Sequence, residues 1–247
     1  MKTIVLIPAR YGSTRFPGKP LALIQGLPMI QHVYQRALAC GEVNEISIAT
    51  DDERIIRCVQ GFGGRAILTG KGHPSGTDRI AEAAEILGTA DDDIIVNIQG
   101  DQPLFHPSLI PALVEPLRRD RDLPMSTLKC RIEDPEELSN PNHVKVVTDS
   151  KGHALYFSRS PIPFFRDDTS HWEHYKHIGI YAYRMSFLRT FTRLPVGRLE
   201  SAEKLEQLRA LEYGYRIKVV ETAHDSIEVD TPADIGKVEK LMSHSDS

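Results

Sequence analysis

The apolar positions of this chain follow two rhythms. Short runs of apolar and β-branched residues at 3–7, 45–50, 66–69 and 93–98 have the length and continuity of strands covered on both faces. Between them apolar residues recur every three or four positions. Met29, Ile30, Val33, Ala37 and Leu38 mark one helix. Residues 54–61 mark a second, ended by Gly61-Phe62-Gly63-Gly64. Ile80, Ala83, Ala84 and Leu87 mark a third, with Thr77 expected to cap its start, and a fourth is expected over 107–119. Strands alternating with helices build right-handed βαβ units and a mostly parallel sheet. Such sheets bind ligands beyond the carboxyl ends of their strands, so chemistry is expected just after Ile7, Thr50, Thr69 and Ile98.

The second half differs. Strands at 144–147 and 154–158 flank Asp149-Ser150-Lys151-Gly152, a hairpin signature, and an aromatic-rich strand is expected at 178–183. Residues 200–213 read as one amphipathic helix with Leu205, Leu208 and Leu211 inward, followed by a strand at 217–221. Thr231-Pro232-Ala233-Asp234 opens the last helix, with Thr231 as N-cap, Pro232 at the first helical position and Asp234 closing a capping box. Residues 243–247 read as a frayed tail. No repeat, linker or low-complexity segment interrupts the chain, which reads as one unit.

Composition narrows the classes. A chain of 247 residues can bury a sizeable core, and its net charge of −4 offers no global positive field for nucleic acid. Anion binding must then come from local basic clusters. The apolar run at the amino terminus is stopped by Pro8, too soon for a signal peptide, and no run approaches the roughly 20 residues that span a bilayer. Cys40, Cys58 and Cys130 form no CxxC pair, so a disulfide framework is not expected and the reducing cytoplasm is the expected compartment.

The richest chemistry follows the first strand, in Pro8-Ala9-Arg10-Tyr11-Gly12-Ser13-Thr14-Arg15-Phe16-Pro17-Gly18-Lys19-Pro20. Arg10, Arg15 and Lys19 stand there without an acidic neighbour, and Gly12 and Gly18 let backbone N–H groups approach a ligand. Three cations at a strand's carboxyl end make a polyphosphate site; a single one would read as a solvated loop. The spacing matches neither the G-x-x-x-x-G-K-[ST] loop nor G-x-G-x-x-G. Ile98-Gln99-Gly100-Asp101 follows another buried strand, where Asp101 can hold a hard cation or cap a helix. Asp230, just before the Thr231 cap, is a candidate second ligand or a helix-start carboxylate. Two carboxylates and a basic loop together favour phosphoryl-transfer chemistry.

The loop from Ile7 to Pro20 resembles the signature loop of sugar nucleotidyltransferases, most closely the CMP-Kdo synthetase (3-deoxy-manno-octulosonate cytidylyltransferase) family. The resemblance continues through Ser75-Gly76-Thr77-Asp78-Arg79, Asn97-Ile98-Gln99-Gly100-Asp101, Ala154-Leu155-Tyr156-Phe157-Ser158-Arg159, His177-Ile178-Gly179-Ile180-Tyr181, Leu205-Glu206-Gln207-Leu208-Arg209 and Val229-Asp230-Thr231-Pro232. It implies a mostly parallel, Rossmann-like α/β sheet flanked by helices, with a smaller mixed α+β part. By the same analogy, residues 1–125 form the nucleotide-binding half, 126–225 the sugar-binding and dimerisation part, and helix 232–242 returns to the core. The implied reaction joins CMP from CTP to Kdo and releases pyrophosphate, in lipopolysaccharide biosynthesis, with Mg²⁺ as cofactor and a homodimer as the assembly. Arg10, Arg15, Lys19 and Asp101 would be catalytic, with Asp101 and Asp230 holding Mg²⁺. Pro8, Ala9, Arg10, Ser13, Arg15, Lys19, Ser75, Gly76, Arg79 and Asp101 would bind the nucleotide. Gln99, Arg159, His177, Tyr181, Glu206 and Gln207 would line the sugar pocket.

Other readings stay open at this level. Glu206 and Gln207 also fit the polar face of a helix, and His177 also fits a satisfied histidine at a strand edge. The acceptor could be 8-amino-Kdo, a sialic acid or a sugar 1-phosphate, and a non-catalytic nucleotide-binding regulator is the rival of another class. His171, His174 and His177 raise the question of zinc, but the interleaved aromatics favour a partly exposed loop over 164–176 leading into the next strand.

Overall fold

The computed structural model describes residues 1–12, 16–166 and 173–245. Its strands are β1 (Thr3–Ala9), β2 (Leu23–Ile24), β3 (Leu27–Pro28), β4 (Glu45–Thr50), β5 (Ala66–Leu68), β6 (Ile94–Asn97), β7 (Met125–Arg131), β8 (Lys145–Thr148), β9 (Ala154–Ser158), β10 (Tyr175–Arg184) and β11 (Ile217–Thr222). Its α-helices are α1 (Met29–Leu38), α2 (Glu53–Gly61), α3 (Gly76–Ile86), α4 (Leu109–Arg119), α5 (Pro135–Ser139), α6 (Met185–Phe191), α7 (Arg198–Glu203), α8 (Leu208–Glu212) and α9 (Pro232–Ser245).

One mixed sheet runs β11-β7-β10-β6-β1-β4-β5, with β8 and β9 added at its β10 side. The strands β5, β4, β1 and β6 are mutually parallel, while β10 runs antiparallel to both β6 and β7. Side chains alternate across β1: Val5, Ile7 and Ala9 enter a core with Ile30 and Val33 of α1, Val59 of α2 and Leu113 of α4. Ile4 and Leu6 enter a second core with Ile80 and Ala84 of α3 and Leu188 of α6. Both faces of the sheet are therefore covered, as the unbroken apolar runs of β1 and β6 require. The result is a Rossmann-like α/β sheet flanked by helices.

The strand order reverses at β1. From it the chain moves outward through β4 and β5, then returns to place β6 on the other side. The carboxyl ends of β1 and β6 thus diverge into a fork, the place where open sheets bind ligands. The fork is tightly built. A Cβ on Gly100 would lie 2.9 Å from the Pro8 carbonyl oxygen and 3.3 Å from Ile30 Cδ1, so only glycine lets the two loops pass.

Four expectations need correction, three of them in the second half. A strand at β7, unseen in the pattern, pairs with β10 and β11, so this half completes the same sheet. The expected helix over 200–213 is two short helices, α7 and α8, broken at Lys204 in the left-handed region at φ 54°. Glu206 and Gln207 consequently sit in the connecting turn. The cap of α3 is Ser75, whose Oγ accepts from the Asp78 N–H, and Thr77 already belongs to the helix. The last helix continues to Ser245. Its Val238 packs with Ile24, Met29 and Val229, which brings the end of the chain back to the first half.

Gly100→Ala should cost about 1–3 kcal/mol, because the clash is with backbone and cannot be relieved by a rotamer. Urea denaturation checks this, and an unchanged midpoint would show that the fork has slack.

Candidate active site

The loop leaving β1 folds back through a tight turn. Gly18, at φ +73°, donates its N–H to Tyr11 O at 2.9 Å, and the Tyr11 ring lies against the position a Cβ would occupy. The Tyr11 ring also takes the Arg54 guanidinium 3.3 Å from its centroid. This turn delivers Lys19 to the fork. Its Nζ lies 2.5 Å from Asp101 Oδ2, 2.9 Å from Val229 O and 3.9 Å from Asp230 Oδ1. Asp101 comes from the loop after β6, Asp230 from the approach to α9, and Val229 N–H donates to Asp101 O at 2.9 Å to tie them together. Two carboxylates separated by more than a hundred residues in sequence thus meet at one ammonium.

This oxygen-only pair fits Mg²⁺, which takes one or two carboxylates and completes its shell with phosphate oxygens and water. A third acid stands beside it. Glu228 accepts from Gln102 Nε2 at 3.1 Å. Its side chain is exposed, yet the protein crowded around it lifts its carboxyl to about 7, with the Asp101 and Asp230 charges adding to that effect.

Across the fork, α3 presents its amino terminus. Ser75 and Gly76 line the same cleft as Pro8, Ala9, Arg10 and Lys19, a space of about 370 Å³ that Arg79, Gln99, Asp101 and Asp230 also border. Arg79 is buried, and its guanidinium bonds to Thr69 Oγ1 at 2.7 Å, Gly70 O at 3.2 Å and Asp51 Oδ2 at 3.1 Å. It therefore shapes the loop before α3. Glu206 reaches the same helix start, accepting from Thr77 Oγ1 at 2.8 Å and from Ser75 Oγ at 3.1 Å. Burial raises its pKa, offset in part by these bonds and by Arg209.

The remaining acceptor-side candidates fall into two groups. The rings of His177 and Tyr181 on β10 lie 5.4 Å apart, tilted at 49°, and Tyr181 lies opposite Asn97 of β6. His177 Nε2 lies 2.8 Å from Thr127 Oγ1, which also reaches Ile180 O at 2.9 Å. With the Thr127 proton on that carbonyl, Nε2 carries the imidazole hydrogen. Burial pushes His177 down to about 3 and Tyr181 well above its usual range, so both are neutral near pH 7. A neutral imidazole offers a hydrogen bond and no charge to an acidic ligand. Gln207 is buried, and its Nε2 lacks a partner among the described residues.

Arg159 is placed differently. Its guanidinium donates to the carbonyls of Glu203 at 2.7 Å, Pro141 at 2.9 Å and Lys204 at 3.4 Å, so within this chain it ties β9 to the end of α7. Ser13, Arg15 and His171 lie outside the described residues. Among the described residues no group of three metal-ligating side chains forms a cage of the kind zinc takes. His174 Nε2 instead meets Pro163 O at 3.2 Å. Three residues that also border the cleft, Pro20, His73 and Gly100, were not singled out from the sequence. His73 follows β5, one of the strand ends where chemistry was expected, and its ring is paired with Glu82.

A polyphosphate-sized cleft at the switch point of an α/β sheet, with a lysine gathering two carboxylates, defines a nucleotidyltransferase site. The comparisons agree. Residues 4–218 match the family model described as cytidylyltransferase. The chain is 57% identical over 241 residues to the 3-deoxy-manno-octulosonate cytidylyltransferase of Syntrophus aciditrophicus, covering 98% of this chain and 97% of that one. It is 58% identical over 236 residues to the 8-amino-3,8-dideoxy-manno-octulosonate cytidylyltransferase of Shewanella pealeana, covering 95% and 96%. A solved structure of a CMP:2-keto-3-deoxy-manno-octonic acid synthetase complexed with CTP superposes with a TM-score of 0.93 at 46% identity, covering 99% and 100%. The chain belongs to the cytidylyltransferase family.

The state of His177 has a consequence for stability. Unfolded, a histidine titrates near 6.5; folded, His177 stays neutral down to about 3. The unfolded chain therefore binds the extra proton between those values, and stability falls as pH drops through that window. His177→Gln should make the decline of the denaturation midpoint shallower there than in the parent, and equal slopes would contradict a buried neutral imidazole.

Proposed function

We propose that this enzyme is a 3-deoxy-manno-octulosonate cytidylyltransferase, which transfers CMP from CTP to Kdo, releasing pyrophosphate and supplying CMP-Kdo for lipopolysaccharide biosynthesis. The observation that carries the reading is the meeting of Asp101, Asp230 and Lys19 at the β1–β6 fork, beside Ser75 and Gly76. The relative named for Kdo and the likeness to a synthetase complexed with CTP support the choice of substrates. The relative named for the 8-amino sugar, at 58% identity, supports a second reading with the same chemistry and a different acceptor.

In this reading the triphosphate lies along the loop after β1, with Arg10, Arg15 and Lys19 neutralising its charge and Pro8, Ala9, Ser13, Ser75, Gly76 and Arg79 around the nucleoside. Asp101 and Asp230 would hold Mg²⁺, which supplies charge neutralisation at the α-phosphate and acidifies a hydroxyl near it. Gln99, Glu206, Gln207, His177 and Tyr181 would orient the acceptor so that its anomeric hydroxyl attacks the α-phosphorus in line, with pyrophosphate leaving opposite. Arg159 would serve the acceptor's side of the site through the strand end it fixes. Catalysis is then mainly positioning and preorganised charge.

The same reading divides the chain into a nucleotide half over 1–125, an acceptor and dimer part over 126–225 and a returning helix over 232–242. A homodimer would cover apolar side chains left open in the second half, among them Leu155, Val196 and the 88% exposed Phe164. No described helix is long and apolar enough to cross a membrane, which accords with work in the cytoplasm.

Pyrophosphate release from CTP, UTP, ATP or GTP with Mg²⁺ and Kdo, 8-amino-Kdo, a sialic acid or glucose 1-phosphate tests the assignment. Release from CTP with Kdo is expected. Release from CTP with the 8-amino sugar alone reassigns the acceptor, and no release from folded, CTP-binding protein favours the regulator. In the active pairing, Asp101→Asn should lower kcat by at least about 100-fold with an unchanged Tm, whereas near-normal turnover would remove Asp101 from the chemistry.

A further inference from the structure

Glu206 sits in the turn between α7 and α8, two residues after the left-handed Lys204, with its carbonyl accepting from the Arg209 N–H at 3.0 Å at the start of α8. Its carboxylate is aimed by partners on another element. Thr77 Oγ1 donates to Oε2 at 2.8 Å, Ser75 Oγ lies 3.1 Å from Oε1, and Arg209 Nη2 stands 3.8 Å from Oε1.

These partners are unequal. Ser75 has one hydroxyl proton, and Asp78 Oδ2 lies nearer to it, at 2.7 Å, than Glu206 does. Arg209 is already engaged with Glu200, at 2.7 Å through Nε and 2.6 Å through Nη2. Thr77 is the dependable donor. It is 3% exposed, on the second residue of α3, where a hydroxyl ordinarily bonds to local backbone. Here it reaches across to a residue 129 positions away.

We propose that Thr77 is a positioning residue for the acceptor: its hydroxyl, offered from the first turn of α3, aims the Glu206 carboxylate that faces the acceptor sugar. The proposal rests on the reading of Glu206 as an acceptor contact. It joins the two halves of the site mechanically, because the same helix start borders the nucleotide cleft through Ser75 and Gly76. Thr77 acts through Glu206, while its hydroxyl also hydrogen-bonds the buried Tyr183 side chain behind it.

Steady-state kinetics of the full chain with CTP, Mg²⁺ and whichever of Kdo and 8-amino-Kdo it uses test this. Thr77→Val removes the hydroxyl at nearly constant volume and should raise the acceptor KM about tenfold, with the CTP KM and kcat within about twofold. Thr77→Ser, which restores the donor, should recover the parent acceptor KM. An unchanged acceptor KM in Thr77→Val overturns the proposal, as does a loss of Tm with both KM values rising that serine does not rescue. Glu206→Gln separates the two levels. If it leaves the acceptor KM unaltered, the reading of Glu206 itself fails and the role of Thr77 falls with it. If Glu206→Gln raises that KM while Thr77→Val does not, only the positioning role is lost.

Discussion

The ammonium of Lys19 between Asp101 and Asp230 is the contact on which the site depends. Two carboxylates repel at close range, and neither loop brings its acid to the fork for local reasons. A cation within 2.5 Å of one and 3.9 Å of the other offsets that repulsion and holds the pair together at the mouth of the fork. Much of the fold serves this arrangement. The Gly18 turn delivers the lysine, Gly100 lets the β6 loop pass under Pro8, and Val229 N–H locks the Asp230 approach to Asp101 O. Helix α9 is pinned through Val238, and through Glu239, which accepts from Gln25 N–H at 2.9 Å, so Asp230 arrives from the end of the chain.

The two sides of the cleft divide polar work differently. On the nucleotide side the groups are charged, as a polyphosphate demands. Along β10, Tyr183 is buried and His177 and Tyr181 are half-buried, all three held neutral, and the nearby Glu206 carboxylate is steadied by hydroxyls. Neutral donors select among hydroxyl patterns without competing with the phosphates for cations.

The first half was legible because its signals are local. Continuous apolar runs specify β1, β4 and β6, three-four periodicity specifies α1 to α4, and a basic glycine loop at a strand end announces phosphate. Asp101 and Asp230 were legible as candidates, but their meeting at Lys19 was not, since proximity across the chain leaves no local trace. The second half was harder for physical reasons. The β7 segment, Met-Ser-Thr-Leu-Lys-Cys-Arg, mixes buried polar residues into its run because Ser126 and Thr127 spend their hydroxyls on Leu113 O and Ile180 O. The break at Lys204 falls in a stretch of good helix formers, where tertiary packing of Leu205 and Leu208 overrides propensity. Thr77 was expected as the cap, but Ser75, two residues earlier, has the same chemistry and takes the role.

The central claim is that CTP and its metal ion are received at the β1–β6 fork by Asp101, Asp230 and the loop carrying Lys19. A crystal structure of the chain with CTP and Mn²⁺, with anomalous data collected for the manganese, tests it most directly. The account predicts a manganese peak bound by both carboxylates, with the triphosphate along residues 8–19 and the base against Ser75 and Gly76. A nucleotide seated elsewhere, or a manganese peak that neither Asp101 nor Asp230 touches, would contradict it.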